Sequence, residues 1–405
     1  MKYAVWFVRF VFAAWMIPAG LNHFIQLFPQ PMGTQPLSHE LVVALIDSHL
    51  FDLVKAVELI AGVGVLFGFY TPLLLLICMP VSFNVFYWDA PLEGWGSRAA
   101  LFGYSTLFSN VLLCLAFNKS YRSMFALRVT ASAKQQLVVA GRILFGAWMV
   151  LNGANALFLS LWPTPVGNEP LAIQLMDALV HSRLIDVAMA IQLVAGALIL
   201  VGALVPAALC LLMPISVCAL FWGVILDHQP LSAALALVAF AANGLLMLAY
   251  LRYYQGSLQR RALALGESPE AHGNFDGLFV NPTGRTPRSP YVAALITVAA
   301  AIAFFAYFVP GRTAQFCMLM LAYPASVLIA RRLRDMGQSA WLALVAVLPI
   351  LAAFAIKLGY ASVGDAVGGS VAWIALAVSA ALALWGCIGS GQPDTDRFGP
   401  AAASS

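Results

Sequence analysis

Asp52, Lys55 and Glu58 stand three residues apart in a stretch that is otherwise apolar. On a helix, that spacing puts Lys55 and Glu58 on one face. Ionisable groups inside an apolar run are costly, and they mark functional sites by default. Lys55 and Glu58 support two readings. One is a buried ion pair that only holds a helix bundle together. The other is a proton-handling carboxylate, Glu58, whose pKa is set by burial and by Lys55. Asn22 and His23 close the apolar run before these residues, and Ser82, Asn84 and Asp89 lie late in the run after them. If the three runs are helices of alternating direction, all these groups fall at one depth. They could then line a single cavity, with Lys55 and Glu58 as its reactive pair. Asn22, His23, Ser82, Asn84 and Asp89 would be its ligand-binding residues.

Other chemistry finds less support. His23, His39 and His49 gather near this place, with Glu40 and Asp47 close by, but their separations of sixteen and ten residues fit no local metal-ligand motif. Surface or interface histidines explain them, and no metal site is assigned. Six cysteines all lie in apolar stretches and form no C-x-x-C pair, as expected of small packing residues. No phosphate-binding glycine loop, H-E-x-x-H, nucleophile elbow or dinucleotide fingerprint occurs. No visible motif encodes a cofactor.

The elements that must position these residues follow from composition. Of 405 residues, 62% are hydrophobic and 9% charged. Soluble domains carry about 25% charge, so most of this surface faces something other than water. A net charge of +4, with no basic stripe, excludes nucleic acid as a partner. The lipid bilayer is the partner that the composition requires. A spanning helix needs roughly 20 apolar residues. The pattern predicts an all-α polytopic transmembrane bundle of about twelve spans arranged 4+4+4: 4–27, 50–69, 72–89, 99–117, 137–160, 184–204, 206–226, 230–250, 290–309, 314–330, 340–358 and 369–389. Basic residues favour cytoplasmic loops. They gather after span four (Lys119, Arg122, Arg128, Lys134), after span eight (Arg252, Arg260, Arg261, Arg285, Arg288) and after span ten (Arg331, Arg332, Arg334). Both termini are therefore expected in the cytoplasm. Met1-Lys2 and the run behind it mimic a signal peptide. Because the same pattern recurs mid-chain, a retained helix is expected.

The recurrence is an internal repeat. With Arg9 on Arg142, Phe12, Ala14, Trp15, Met16, Gly20 and Asn22 meet Phe145, Ala147, Trp148, Met149, Gly153 and Asn155. One residue further on, Asp52, Ala61, Gly62, Pro72, Met79, Pro80, Ser82 and Trp88 meet Asp186, Ala195, Gly196, Pro206, Met213, Pro214, Ser216 and Trp222. Four spans separate the copies, so both have the same orientation. Pro80 and Pro214 mark either packing kinks or cavity-lining breaks. Amphipathic stretches at Leu37–Ile46 and Leu171–Leu179 are expected on the outer membrane surface. The second copy has lost charge: Met189, Gln192, Ala156 and Cys218 replace Lys55, Glu58, His23 and Asn84, while Asp227 and His228 stand near the place of Asp89. An active site is therefore expected in the first copy. The units read as 1–130, 136–254, a cytoplasmic linker at 255–289, a third four-helix unit at 290–390 and a disordered tail at 391–405.

The third unit has its own signature. Tyr323-Pro324 precedes Arg331-Arg332-Leu333-Arg334-Asp335-Met336-Gly337, where a helix meets the cytoplasm. Arg331, Arg332, Arg334 and Asp335 suit anionic headgroups or a partner protein, and Gly337 suits the turn that follows.

These residues carry two resemblances. Residues 1–130 resemble the DoxX-like family of four-helix membrane proteins through Ala19-Gly20-Leu21-Asn22-His23-Phe24 and Val57-Glu58-Leu59-Ile60-Ala61-Gly62. Residues 136–254 resemble it more weakly through Gly153, Asn155, Ala195, Gly196 and Gly202. Residues 280–400 are similar to a bacterial family catalogued as domain of unknown function 805. The similarity rests on Gly284-Arg285-Thr286-Pro287-Arg288, the Arg331–Trp341 stretch and Arg397-Phe398-Gly399-Pro400; Arg334 stands where that family often has histidine. The DoxX-like resemblance implies redox company, with quinone as one candidate ligand. The expectation is an accessory subunit of a redox or quinone-linked system in the bacterial inner membrane. It would bind a small hydrophobic or redox-active partner in a periplasm-facing cavity, borrow its electron carrier, and work with a redox partner protein or as an oligomer. If it is an enzyme, it is a subunit of a membrane oxidoreductase. A small-molecule or lipid carrier and a non-catalytic scaffold remain the alternatives.

Overall fold

The computed structural model describes residues 1–129, 135–163, 165–269, 273–357 and 365–392. Lys134 and the Arg397–Pro400 motif lie outside the described residues. Sixteen α-helices follow one another, with no strand among the described residues. The first repeat supplies α1 (Lys2–Ile25), α2 (Pro36–Asp47), α3 (Leu50–Phe67), α4 (Thr71–Tyr87), α5 (Arg98–Ala116) and a short α6 (Asn118–Tyr121). The second supplies α7 (Gln135–Ala154), α8 (Pro170–His181), α9 (Leu184–Val201), α10 (Val205–Leu220) and α11 (Pro230–Ala249). The C-terminal part supplies α12 (Arg288–Phe308), α13 (Gly311–Met320), α14 (Ala322–Asp335), α15 (Leu342–Lys357) and α16 (Asp365–Ile388).

Among the described residues, nine helical stretches are long and apolar enough to cross a membrane. Helix α3 has the length, 18 residues, but carries Asp52, Lys55 and Glu58. Shorter apolar helices, Leu342–Ile356 and Trp373–Ile388, stand at two of the remaining expected spans. The chain is thus an all-α membrane protein.

The repeat is visible in matched hydrogen bonds. Trp88 Nε1 donates to Ser38 O at 2.8 Å, and Trp222 Nε1 to Ala172 O at 3.1 Å. Tyr121 Oη donates to Pro72 O, and Tyr254 Oη to Pro206 O, both at 2.8 Å. The helix-joining corners match as well: His49 and Arg183 take φ of +60° and +61°, Tyr70 and Leu204 +48° and +51°. Pro36 and Pro170 open α2 and α8, where a missing N–H costs nothing.

The residues gather into two units. One comprises His23–Glu58 and Tyr70–Arg260. In it α2 and α8 run antiparallel around a shared core of Leu41, Ala44, Leu50, Ala172, Leu175, Ala178 and Leu226. His181 Nδ1 lies 2.7 Å from Glu40 Oε1, and Gln174 Nε2 donates to Asp47 Oδ2 at 2.9 Å. In the repeat alignment Gln174 answers to Glu40 and His181 to Asp47. The two contacts are therefore one contact repeated about a two-fold axis.

The other unit comprises Met1–Asn22, Leu59–Phe69 and the chain from Arg261 onward. Here α1 crosses α3 at Gly62, where a Cβ would fall 2.8 Å from Ile17 Cγ1. Gly196 repeats that crossing between α7 and α9 in the first-described unit, against Met149 and Val150. The polar connection before α12 carries a hydrophobic knot. Phe275, Leu278 and Phe279 are buried, and their rings pack with Trp6 and Phe10. Glu267 fastens the knot, accepting from Trp6 Nε1 at 2.7 Å and Phe275 N at 3.0 Å.

Candidate functional site

Helix α3 brings Lys55 and Glu58 together as its spacing requires. Lys55 Nζ donates to Glu58 Oε2 at 2.8 Å, with Glu58 1% and Lys55 9% exposed. The ammonium also sits over the Phe51 ring, 4.8 Å from its centroid. Helix α4 faces this pair with Cys78 and Ser82, and the π-helical turn that follows it (Trp88–Leu92) with Asp89, all buried. Asp89 lies within electrostatic reach of Lys55, and Cys78 within reach of both partners. Behind Ser82, Asn110 on α5 donates to its hydroxyl at 2.9 Å.

His23 joins a different contact. Its Nε2 is 2.6 Å from Asp52 Oδ1, while His49 Nδ1 is 3.1 Å from Asp52 Oδ2. His39 turns instead to Met32 O at 2.9 Å, so the three histidines do not converge. Asn22 is buried at the end of α1. Asn84 is exposed on the outside of α4 and does not share a face with Ser82.

The second repeat serves as an internal control. The Asn243 amide meets the Ser216 hydroxyl at 3.2 Å, as Asn110 meets Ser82. The serine–asparagine pair therefore belongs to the shared scaffold. At the positions of Lys55, Glu58, Cys78 and Asp89 stand Met189, Gln192, Leu212 and Gly223. Matching Trp88 to Trp222 places Gly223, not Asp227, opposite Asp89, which corrects the expected correspondence. The sizes compensate between helices: Asp89 packs on Gly103, whereas Gly223 packs on Ala236.

Asp227 answers to Glu93. Glu93 accepts from Thr34 N at 2.7 Å and from the Ser38 and Thr34 hydroxyls, tying down the approach to α2. Asp227 accepts from Asn168 N and Ser232 Oγ, both at 2.7 Å, and does the same for α8. Burial works against charge on each carboxylate, but these donors prevail and hold both below their ordinary values. These clamps were missed in the sequence; an acid five residues after each tryptophan at 88 and 222 would have marked them.

In the C-terminal part, Arg331 and Arg332 turn inward and are 3% and 1% exposed. Arg331 donates to Thr286 Oγ1 at 3.0 Å, Asn281 O at 3.2 Å and Arg285 O at 3.1 Å. Arg332 donates to Gly386 O at 2.8 Å and Gly389 O at 2.6 Å, and pairs with Asp335. Arg285 reaches Asp335 O at 3.2 Å and Gln392 O at 2.6 Å. The guanidinium forks thus satisfy carbonyls left open at helix ends. Arg334 is the least buried of the three arginines, half-buried and meeting Pro282 O. Gly337 takes φ +73° in the turn after α14.

Arg9, which served only to align the repeats, is a further buried cation. Its Nε donates to Val65 O at 2.7 Å and its guanidinium lies 3.7 Å from the Phe275 ring centroid. Asp276 pairs with Arg261 at 3.1 Å, and burial holds its carboxyl above the ordinary value despite the two arginines.

These helices define a polytopic membrane protein with one charged cluster in its first repeat and an arginine hub near its C-terminus. Residues 279–400, which contain that hub, match the model of a family described as protein of unknown function (DUF805). No curated protein and no solved structure matches the chain.

Proposed function

We propose that the chain is an inner-membrane accessory subunit of a redox or quinone-linked system, with both termini in the cytoplasm and α2 and α8 on the periplasmic side. Its first repeat, which resembles DoxX-like proteins, holds a small hydrophobic or redox-active molecule. Glu58 manages a proton or a hydrogen bond, and Lys55 sets its charge state. The observation that carries this reading is the second repeat. It builds a helix of the same 18-residue length, α9, with Met189 and Gln192 in place of the ion pair. The fold therefore does not require charges that are expensive to place inside a membrane. A group retained against that cost, beside buried Cys78 and Asp89, fits work on a ligand better than support of a bundle.

The donor set suits a quinone. Lys55 offers a hydrogen bond to a carbonyl oxygen, and Glu58 or Asp89 can accept one from a hydroxyl. A bound quinone would supply the electron chemistry, and these residues would supply orientation and a proton. The two-fold pairing of α2 and α8 favours a second reading, a carrier built on parallel repeats.

Native mass spectrometry with lipid extraction of the mildly solubilised protein tests this. A quinone or other apolar redox molecule should copurify with the natural chain and be lost from a Lys55→Met/Glu58→Gln double variant that still folds. Phospholipid alone in both proteins would overturn the redox reading and favour the carrier.

A further inference from the structure

Asp52, Lys55 and Glu58 form a ladder. Their side-chain exposures fall from 45% to 11% to 2% in successive steps of three residues down α3. At the exposed rung, two imidazoles engage the two oxygens of one carboxylate: His23 at 2.6 Å from α1, and His49 at 3.1 Å from the corner before α3. His49 is 78% exposed, so solvent reaches it freely, while His23 is 18% exposed and packs edge-on against Phe51 and Phe24. The titratable groups facing this ladder are Cys78 on α4 and Asp89 in the turn after it. From α5, the buried polar residues Thr106, Ser109 and Asn110 are all uncharged.

The second repeat again supplies the comparison. It keeps the carboxylate, Asp186, and the same left-handed corner, φ +61° at Arg183 against +60° at His49. Arg183 Nη1 pairs with Asp186 at 3.2 Å, and Ala156 stands where the first repeat has His23. A guanidinium does not release its proton at any pH a cell meets, whereas an imidazole exchanges one near neutrality. The corner therefore folds equally well with a fixed charge. Among the described residues, imidazoles engage this carboxylate only in the repeat that also has Lys55 and Glu58 beneath it.

We infer that His23, Asp52 and His49 are the proton entry port for Glu58. This rests on the reading of Glu58 as a proton-handling carboxylate. One proton passes from water to an imidazole and on to Asp52. Lys55 gives an N–H proton to Glu58 and regains one from the Asp52 side. The net result is one water-derived proton on Glu58, with Lys55 still an ammonium and no electrons moved. His23, Asp52 and His49 are positioning and relay residues; they do not touch the ligand.

The test is time-resolved infrared spectroscopy of the full chain in lipid nanodiscs after a downward pH jump. The protonated-carboxyl band that disappears in Glu58→Gln reports Glu58. In His23→Ala/His49→Arg, which installs the second repeat's residues, its rise should slow by about tenfold or more, with its final amplitude kept. Added imidazole should restore the rate. His23→Gln/His49→Gln, which keeps hydrogen-bonding amides at Asp52 without a titratable nitrogen, should be slow too. An unchanged rate in both variants, with the band present, would overturn the port and leave the reading of Glu58 intact. If no band titrates in the natural chain, both fall together.

Discussion

An ammonium and a carboxylate buried side by side destabilise a helix bundle less than either would alone. At Lys55 and Glu58, 2.8 Å apart, this makes a thermodynamic cycle informative. Lys55→Met alone strands a buried carboxylate, and Glu58→Gln alone strands a buried ammonium. Each single variant should lose about 3–5 kcal/mol of unfolding free energy. The double variant, which copies Met189 and Gln192, should recover most of that loss. Denaturant unfolding in mixed micelles measures all three, and a double variant less stable than either single would return the pair to a purely structural role. The pair itself was legible from a spacing of three residues. The face of Asn84 was not. A membrane helix is apolar toward its neighbours and toward lipid alike, so hydropathy carries little information about rotation. The structure buries Ser82 and Asp89 and exposes Asn84, a difference that hydropathy along the chain does not carry.

Helix pairs in this molecule approach closely at glycine. At Gly62 an added Cβ would lie 2.8 Å from Ile17 Cγ1 and 2.9 Å from Ile17 N, and at Gly196 2.8 Å from Val150 N. Backbone cannot give way as a flexible side chain can. Gly62→Val and Gly196→Val should each cost about 1–3 kcal/mol, whereas Gly244→Val, with nothing within 4 Å, should cost little. Thermal unfolding of the three variants ranks them, and equal losses would refute the crossings. The acid clamps on α2 and α8 give a pH dependence. Glu93 and Asp227 are held below their ordinary values in the folded chain. Their contribution is therefore full above the unfolded pKa and lost as pH falls through the folded one. Hydrogen exchange at Thr34, Gln35 and Asn168 should stay slow at neutral pH and accelerate in acid beyond the intrinsic trend. In Glu93→Gln the Thr34 and Gln35 amides should lose that dependence.

On the scale of the molecule, the arginine hub joins segments far apart in sequence: 281–286, α14, and 386–392. Arg332→Met removes the bonds to Gly386 and Gly389 together with the Asp335 pair. It should speed limited proteolysis in 281–287 severalfold, while half-buried Arg334→Gln, which removes one bond to Pro282 O, should change the digestion pattern far less. Equal patterns would mean that the hub does not hold these segments.

Hydropathy and self-similarity alone determined that this chain crosses a membrane as helices, that its first two parts are copies, and that the first copy carries charges the second lacks. Those properties are one-dimensional: a run of apolar residues is long enough or it is not, and a repeat aligns or it does not. Only the tertiary structure decided where Arg331 and Arg332 point. A basic cluster at a helix end suits headgroups and open carbonyls equally, and the carbonyls of Thr283, Arg285 and Gly386 come within reach only after folding. The same holds for the polar connection before α12. A few aromatic residues, Phe275 and Phe279, find partners in Trp6 and Phe10 some 270 positions earlier, and no local pattern encodes a contact over that distance.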